Sequence, residues 1–126
     1  MCNFIKVLKE KRFDDENISY DEQNMRTRIF EPIQIKDDLW LSIQASHAHY
    51  CKPKMTLRYL DDYTHFEIGI FDKDNFLKVG EVLPNFESLS EIKRYEGRVY
   101  SNVPIDLVEE LYSALIRLKN QVIAPF

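Results

Sequence analysis

Glycine is scarce in this chain, with three residues in 126. That excludes collagen-like repeats and Gly-rich linkers, and it argues against a phosphate-cradling loop or a dinucleotide fingerprint. Proline adds only five further breakers, so long disordered tracts are not expected. Cysteine is limited to Cys2 and Cys51. With Cys2 at the start of the chain, no structural disulfide is expected, and the setting expected is reduced and cytoplasmic. No apolar run approaches the roughly 20 residues a spanning helix needs, so no membrane partner is expected. The opening "MCNFIKVLKEKRFDDEN" has too short an apolar run, and too much charge after it, for a secretory signal. Gly does not follow Met1 and the chain closes on "APF", so neither lipidation pattern fits. Positive charge is outweighed: 17 Lys and Arg stand against 21 Asp and Glu, a formal net charge of −4. That disfavours direct, nonspecific nucleic-acid binding. It suits a basic partner, such as the nucleic-acid-binding surface of another protein.

What is present suffices for one domain over residues 1–126, since 44% of the residues are hydrophobic and 13% aromatic. Residues 39–122 read as its core. Residues 1–38 read as a candidate peripheral acidic extension, because "RFDDENISYDEQNMR" carries Asp14, Asp15, Glu16, Asp21 and Glu22 among few apolar residues. Before it, "NFIKVLK" suits a strand or a short helix. "RTRIF" and "IQIK" alternate as strands do, with a break at Glu31 and Pro32.

The clearest period-two pattern is "DDLWLSIQAS". Leu39, Leu41, Ile43 and Ala45 fall on one face, and Trp40, Ser42, Gln44 and Ser46 on the other. "YTHFEIGIF" repeats the pattern, with Thr64, Phe66, Ile68 and Ile70 opposite Tyr63, His65, Glu67, Gly69 and Phe71. "DKDN" then turns the chain into "FLKVG", which predicts a hairpin with a loop of about four residues. Gly69 inside the strand signals a bulge or a close approach by another group. A short helix is expected near residues 86–94, ended by Gly97, and a brief strand at "RVYSNV". "PIDLVEELYSALIRLKNQV" predicts the longest helix. Pro104 sits in its first turn, and Leu107, Val108, Leu111, Leu115, Leu118 and Val122 make a core-facing stripe. The fold class is therefore α+β: an antiparallel sheet with a C-terminal helix packed on its apolar face.

One segment invites chemistry. "HAHYC" places His47, His49 and Cys51 at every second position, a spacing at which imidazole and thiolate can share a metal ion. A bulge at Ser46 would aim them at the polar face, where His65 and Glu67 join them. The resulting alternative is a zinc site of His47, His49, Cys51 and His65. Without metal, Cys51 with His49 or His65, oriented by Glu67 or Gln44, would form a thiolate–imidazole pair. The simpler reading is preferred: His47 and His49 open a surface loop, Tyr50 packs and Cys51 is buried as a small apolar residue. The "KPK" that follows supports a loop. Asp61 and Asp62 read as a turn. Lys52, Lys54, Arg58, Tyr50 and Tyr59 interleave base and ring as single-strand binders do, and Lys93, Arg94, Tyr95 and Arg98 form a smaller cluster. Against an acidic total both read as solvated surface.

The stretches "SIQASHAHYCKPK", "YTHFEIGIF" and "VPIDLVEELYSAL" resemble small uncharacterised proteins encoded by phages and their bacterial hosts. The resemblance spans roughly residues 39–118. It implies a fold and a genomic setting and carries over no catalytic residue. In that setting, small acidic proteins often block host machinery, CRISPR nucleases included. The expected function is accordingly a protein-binding module of the phage-inhibitor kind, with no cofactor. Its contacts are expected at Trp40, Gln44, His49, Tyr63, His65 and Glu67 and at Asp14, Asp15 and Glu16. The alternatives are a small metal- or thiol-dependent enzyme at the His/Cys cluster, and a structural or oligomer-forming domain.

Overall fold

Two alternating strands set the architecture. In the computed structural model, which describes residues 2–11 and 28–120, strands β2 (Leu39–Gln44) and β3 (His65–Phe71) run antiparallel. Their register pairs Leu41 with Ile70 and Ile43 with Ile68. The two apolar rows therefore fall on one face, and Leu41, Ile43, Ala45, Phe66, Ile68 and Ile70 are all buried. Strand β1 (Ile33–Lys36) joins the other edge of β2. The far edge of β3 is shared: β4 (Phe76–Leu77) pairs with Ile70 and Phe71, and β5 (Tyr100–Pro104) pairs along His65 to Ile68. The result is the expected antiparallel sheet, five-stranded among the described residues.

The apolar face is closed by helices. Helix α1 (Asn3–Val7) begins the chain, α2 (Val79–Val82) and α3 (Leu89–Ile92) follow β4, and α4 (Ile105–Lys119) follows β5. Pro104 is the residue just before α4, Asp106 lies in its first turn, and Arg117 and Lys119 lie in its last, each placed to favour the helix dipole. Leu107, Val108, Leu111 and Leu115 are buried against the sheet, each contributing roughly 1.5–3 kcal/mol. The short helix expected near residues 86–94 is α3, which tightens into a 3₁₀ turn at Lys93–Tyr95. Tyr100 ties β5 to α2. Its hydroxyl accepts from Val79 N–H at 3.0 Å and donates to Glu96 Oε1 at 3.1 Å. Burial pushes this phenol up to about 12.

The described part of residues 1–38 is not a peripheral extension. β1 is a member of the sheet, and Phe4, Phe30 and Ile35 are buried. Phe4 meets Phe66 edge to face, with centroids 5.2 Å apart. "NFIKVLK" resolves into helix α1, and Phe30, the last residue of "RTRIF", forms an isolated bridge with Glu10, while Arg26 and Thr27 lie outside the described residues.

The hairpin turns at residues 72–75, where Asp72 Oδ1 accepts the N–H groups of Asp74 and Asn75. Gly69 is a site of close approach: a Cβ there would lie 3.0 Å from Phe76 Cε1. Bulges lie instead between β1 and β2, at Gln34–Lys36, and between β3 and β5, the latter beside Asn102, whose φ of 53° is the left-handed conformation that Asn tolerates.

Candidate functional site

The chain leaves β2 at Ala45 and resumes pairing only at Lys52, which bridges to His65. Between them "SHAHYC" folds into a turn held by main-chain and side-chain bonds. His49 N–H donates to Ser46 O at 3.1 Å, and Ala48 N–H to Ser46 Oγ at 3.2 Å. Tyr50 N–H donates to Glu67 Oε2 at 2.8 Å, and Tyr50 O accepts from Asn102 N–H at 3.0 Å. Glu67 projects from the face of β3 opposite the core, so the turn crosses that face and anchors on the β5 bulge. This is why "HAHYC" does not continue the strand.

The arrangement engages His49, Cys51 and His65 of the groups that the sequence offered for chemistry, while His47 Nδ1 is buried with no hydrogen-bond partner among the described residues. His49 Nδ1 lies 2.7 Å from Ser46 Oγ, and His65 Nδ1 lies 2.7 Å from Thr64 Oγ1. Burial lowers the His49 pKa, with nearby Glu67 opposing the shift, and burial likewise lowers that of His65. Cys51 is buried and donates to Ser46 O at 3.2 Å and Pro53 O at 3.4 Å. Desolvation raises its thiol pKa, the reverse of what a nucleophile or a metal thiolate needs. Ser46 is itself fully buried, so its contact with His49 braces a turn rather than presenting a hydroxyl to substrate. Among the described residues, no three His, Cys, Asp or Glu side chains gather as a metal site. His47, His49, Cys51 and His65 are thus not assembled as one centre.

Two expected contact residues lie inside the protein. Tyr63 is 1% exposed. Its hydroxyl donates to Met55 O at 2.6 Å and accepts from Leu57 N–H at 2.6 Å and from Arg28 Nη2 at 3.2 Å. Gln44 is 8% exposed and clasps the Phe30 backbone, accepting its N–H at 2.8 Å and donating to its carbonyl at 2.9 Å. Neither is available to a partner, because the segment around Phe30 and the 55–57 loop cover this end of the sheet. Arg28, which sequence reasoning did not single out, completes the brace. It is buried, donates to Leu57 O at 2.7 Å and Ala45 O at 2.9 Å, and lies 4.8 Å from the Phe30 ring centroid. Asp14, Asp15 and Glu16 lie outside the described residues.

Two surfaces stand outward. On the braced loop, Tyr50 is 53% and Tyr59 61% exposed, Met55 is exposed beside them, and Lys52, Lys54 and Arg58 are exposed as well. Lys54 Nζ lies 5.0 Å from the Tyr50 ring and Arg58 Cζ 5.6 Å from that of Tyr59.

The second surface is an aromatic ladder. Register pairs Trp40 with Phe71 and Phe71 with Phe76, across three strands. Trp40 and Phe71 stack with centroids 5.9 Å apart, and Phe71 meets Phe76 at 6.0 Å. None of the three belongs to the core, and Phe76 is 53% exposed. Trp40 was an expected contact. Phe71 and Phe76 were not, although the hairpin pattern that pairs them was the signal that could have found them.

A cleft of about 430 Å³ between residues 82–87 and α4, lined by Phe86, Glu110 and Arg117 among others, shares no residue with either surface. No helix among the described residues is long and apolar enough to cross a membrane. Comparison with protein-family models, curated proteins and solved structures finds no match for this chain.

Proposed function

We propose that this chain is a protein-binding module that acts by contact rather than catalysis. The observation that carries the reading is the Trp40–Phe71–Phe76 ladder, three aromatic rings in register on the sheet face away from the core. Aromatic side chains are the residues most often found as interface anchors. Covering the exposed part of Phe76 alone releases about 1–2 kcal/mol. The buried thiol and the hydroxyl-paired imidazoles of His49 and His65 favour this reading over the thiol- or metal-dependent enzyme. The narrower reading, a phage-type inhibitor of a host defence complex, draws its support from the sequence resemblance. The net charge of −4 fits a basic partner.

Trp40 is the sole tryptophan, so the ladder carries its own reporter. The test is affinity capture from a host extract with the wild type and with a Phe71→Ser/Phe76→Ser variant shown to be folded, followed by acrylamide quenching of Trp40 in the recovered complex. The expected result is a partner that binds the wild type, loses at least tenfold in affinity for the variant, and shields Trp40. A partner that binds both proteins equally and leaves Trp40 quenching unchanged would overturn the proposal.

A further inference from the structure

We propose that the loop of residues 50–59 is a contact site for single-stranded nucleic acid, separate from the aromatic ladder. Four observations lead there. The first is composition: between Ala45 and Leu60 the chain has Lys52, Lys54 and Arg58 and no acidic residue, in a protein of formal net charge −4. Positive charge is therefore concentrated locally. At physiological salt the screening length is about 8 Å, so a bound strand responds to this loop more than to remote carboxylates, while Glu67, bonded to the Tyr50 N–H, and Asp61 and Asp62, which follow the loop, offset part of its charge.

The second is exposure: Tyr50 and Tyr59 stand more than half out of the protein. Exposed rings interleaved with cations are the elements that hold single strands, with bases stacked on the rings and phosphates on the cations. The third is geometry. Lys54 and Arg58 lie over the rings of Tyr50 and Tyr59, 5.0 and 5.6 Å from their centroids, so each ring is paired with a charge on one face.

The fourth is preorganisation. The loop is fixed from beneath by the Tyr63 hydroxyl on Met55 and Leu57, by Arg28 on Leu57, and by Glu67 and Asn102 on the Tyr50 backbone. The loop backbone is thus held from other segments, and its basic and aromatic side chains, with Pro53 and Met55, face outward. Ordering the loop on binding therefore costs little. An acidic peptide would satisfy the cations but leave the two tyrosine faces unused, and that is what favours a nucleic acid over a peptide.

The test is fluorescence anisotropy of the full chain with labelled dT12 and rU12, with a 12-base-pair duplex and an oligoglutamate peptide of matched length as competitors. Phosphate contacts at Lys52 and Lys54 predict that log K falls against log salt with a slope of about −1.4. Tyr50→Ala and Tyr59→Ala should each weaken binding about fivefold or more. Lys52→Glu/Lys54→Glu should abolish it, while Lys93→Glu, the same kind of charge reversal on another surface, changes it less than twofold. Circular dichroism and melting checks show that each variant is folded. No binding of either oligonucleotide at 50 mM salt, or competition by oligoglutamate or duplex as strong as by dT12, would overturn the proposal. The loop and ladder share no residue, so such a failure leaves the protein-binding reading standing.

Discussion

At the scale of single residues, His49 shows how burial turns a would-be ligand into a structural part. Its ring is braced by Ser46 and desolvated by the turn it closes, and its pKa falls below the ordinary 6.5. The folded protein therefore takes up this proton less readily than the unfolded chain. Between the lowered value and 6.5 the unfolded state holds more protons, so stability rises with pH through that window and is lost as pH falls through it. His65, lowered by its own burial and by Lys52, acts in the same direction. Urea midpoints measured at pH 7 and pH 5 should drop on acidification. His49→Asn, which keeps a polar atom near Ser46 and removes the titration, should reduce that drop. An undiminished drop would assign the effect to other groups.

At the scale of elements, the β2–β3 connection is the unusual one. It is long, carries only a 3₁₀ turn at Leu60–Asp62 and the bridge at Lys52 among its described residues, and is fixed between them by buried polar side chains. Three hydrogen bonds converge on the single oxygen of Tyr63, and two of them hold the backbone of the loop. Tyr63→Phe would leave the Leu57 N–H and part of the Arg28 guanidinium without their partner in a buried site. The expected cost is about 1–3 kcal/mol in denaturant unfolding. Because the loop is what loosens, amide exchange at residues 55–57 should rise more than exchange in α4. A uniform rise would mean that Tyr63 supports the whole fold rather than this element.

At the scale of the whole molecule, one core serves two outward surfaces. The sheet buries one face under α4 and α1. On the other, the "HAHYC" turn covers one end and the aromatic ladder occupies the opposite end. The amino-terminal segment belongs to this unit, since Phe4 is fully buried on Phe66 and its N–H donates to Glu109 Oε1 at 3.1 Å. Phe4→Ala should destabilise the entire domain by about 3–5 kcal/mol, with a single unfolding transition by both tryptophan fluorescence and circular dichroism. A loss under about 1 kcal/mol would return residues 2–11 to the status of an appendage.

The elements readable from the sequence were those governed by local period. Leu41, Ile43 and Ala45 alternate, Phe66, Ile68 and Ile70 alternate, "DKDN" turns, and Leu107, Val108, Leu111 and Leu115 recur at helical spacing. Each pattern follows from the direction of successive Cβ atoms, and no distant residue is needed to read it. Tertiary structure decided what lies over the second face. Period two assigns Gln44 and Trp40 to the same row, yet Gln44 is buried on Phe30 and Trp40 stacks on Phe71 outside the core. Tyr63 passes from expected contact to buried brace because Arg28, 35 positions earlier in the chain, folds onto it. The fate of "HAHYC" was set in the same way, by Glu67 and Asn102, which no local pattern connects to Tyr50. Sequence alone determined the strands, the hairpin and the long helix, because short-range sterics and burial fix them. Which polar side chains remain exposed to act was settled only by long-range hydrogen bonding among residues far apart in the chain.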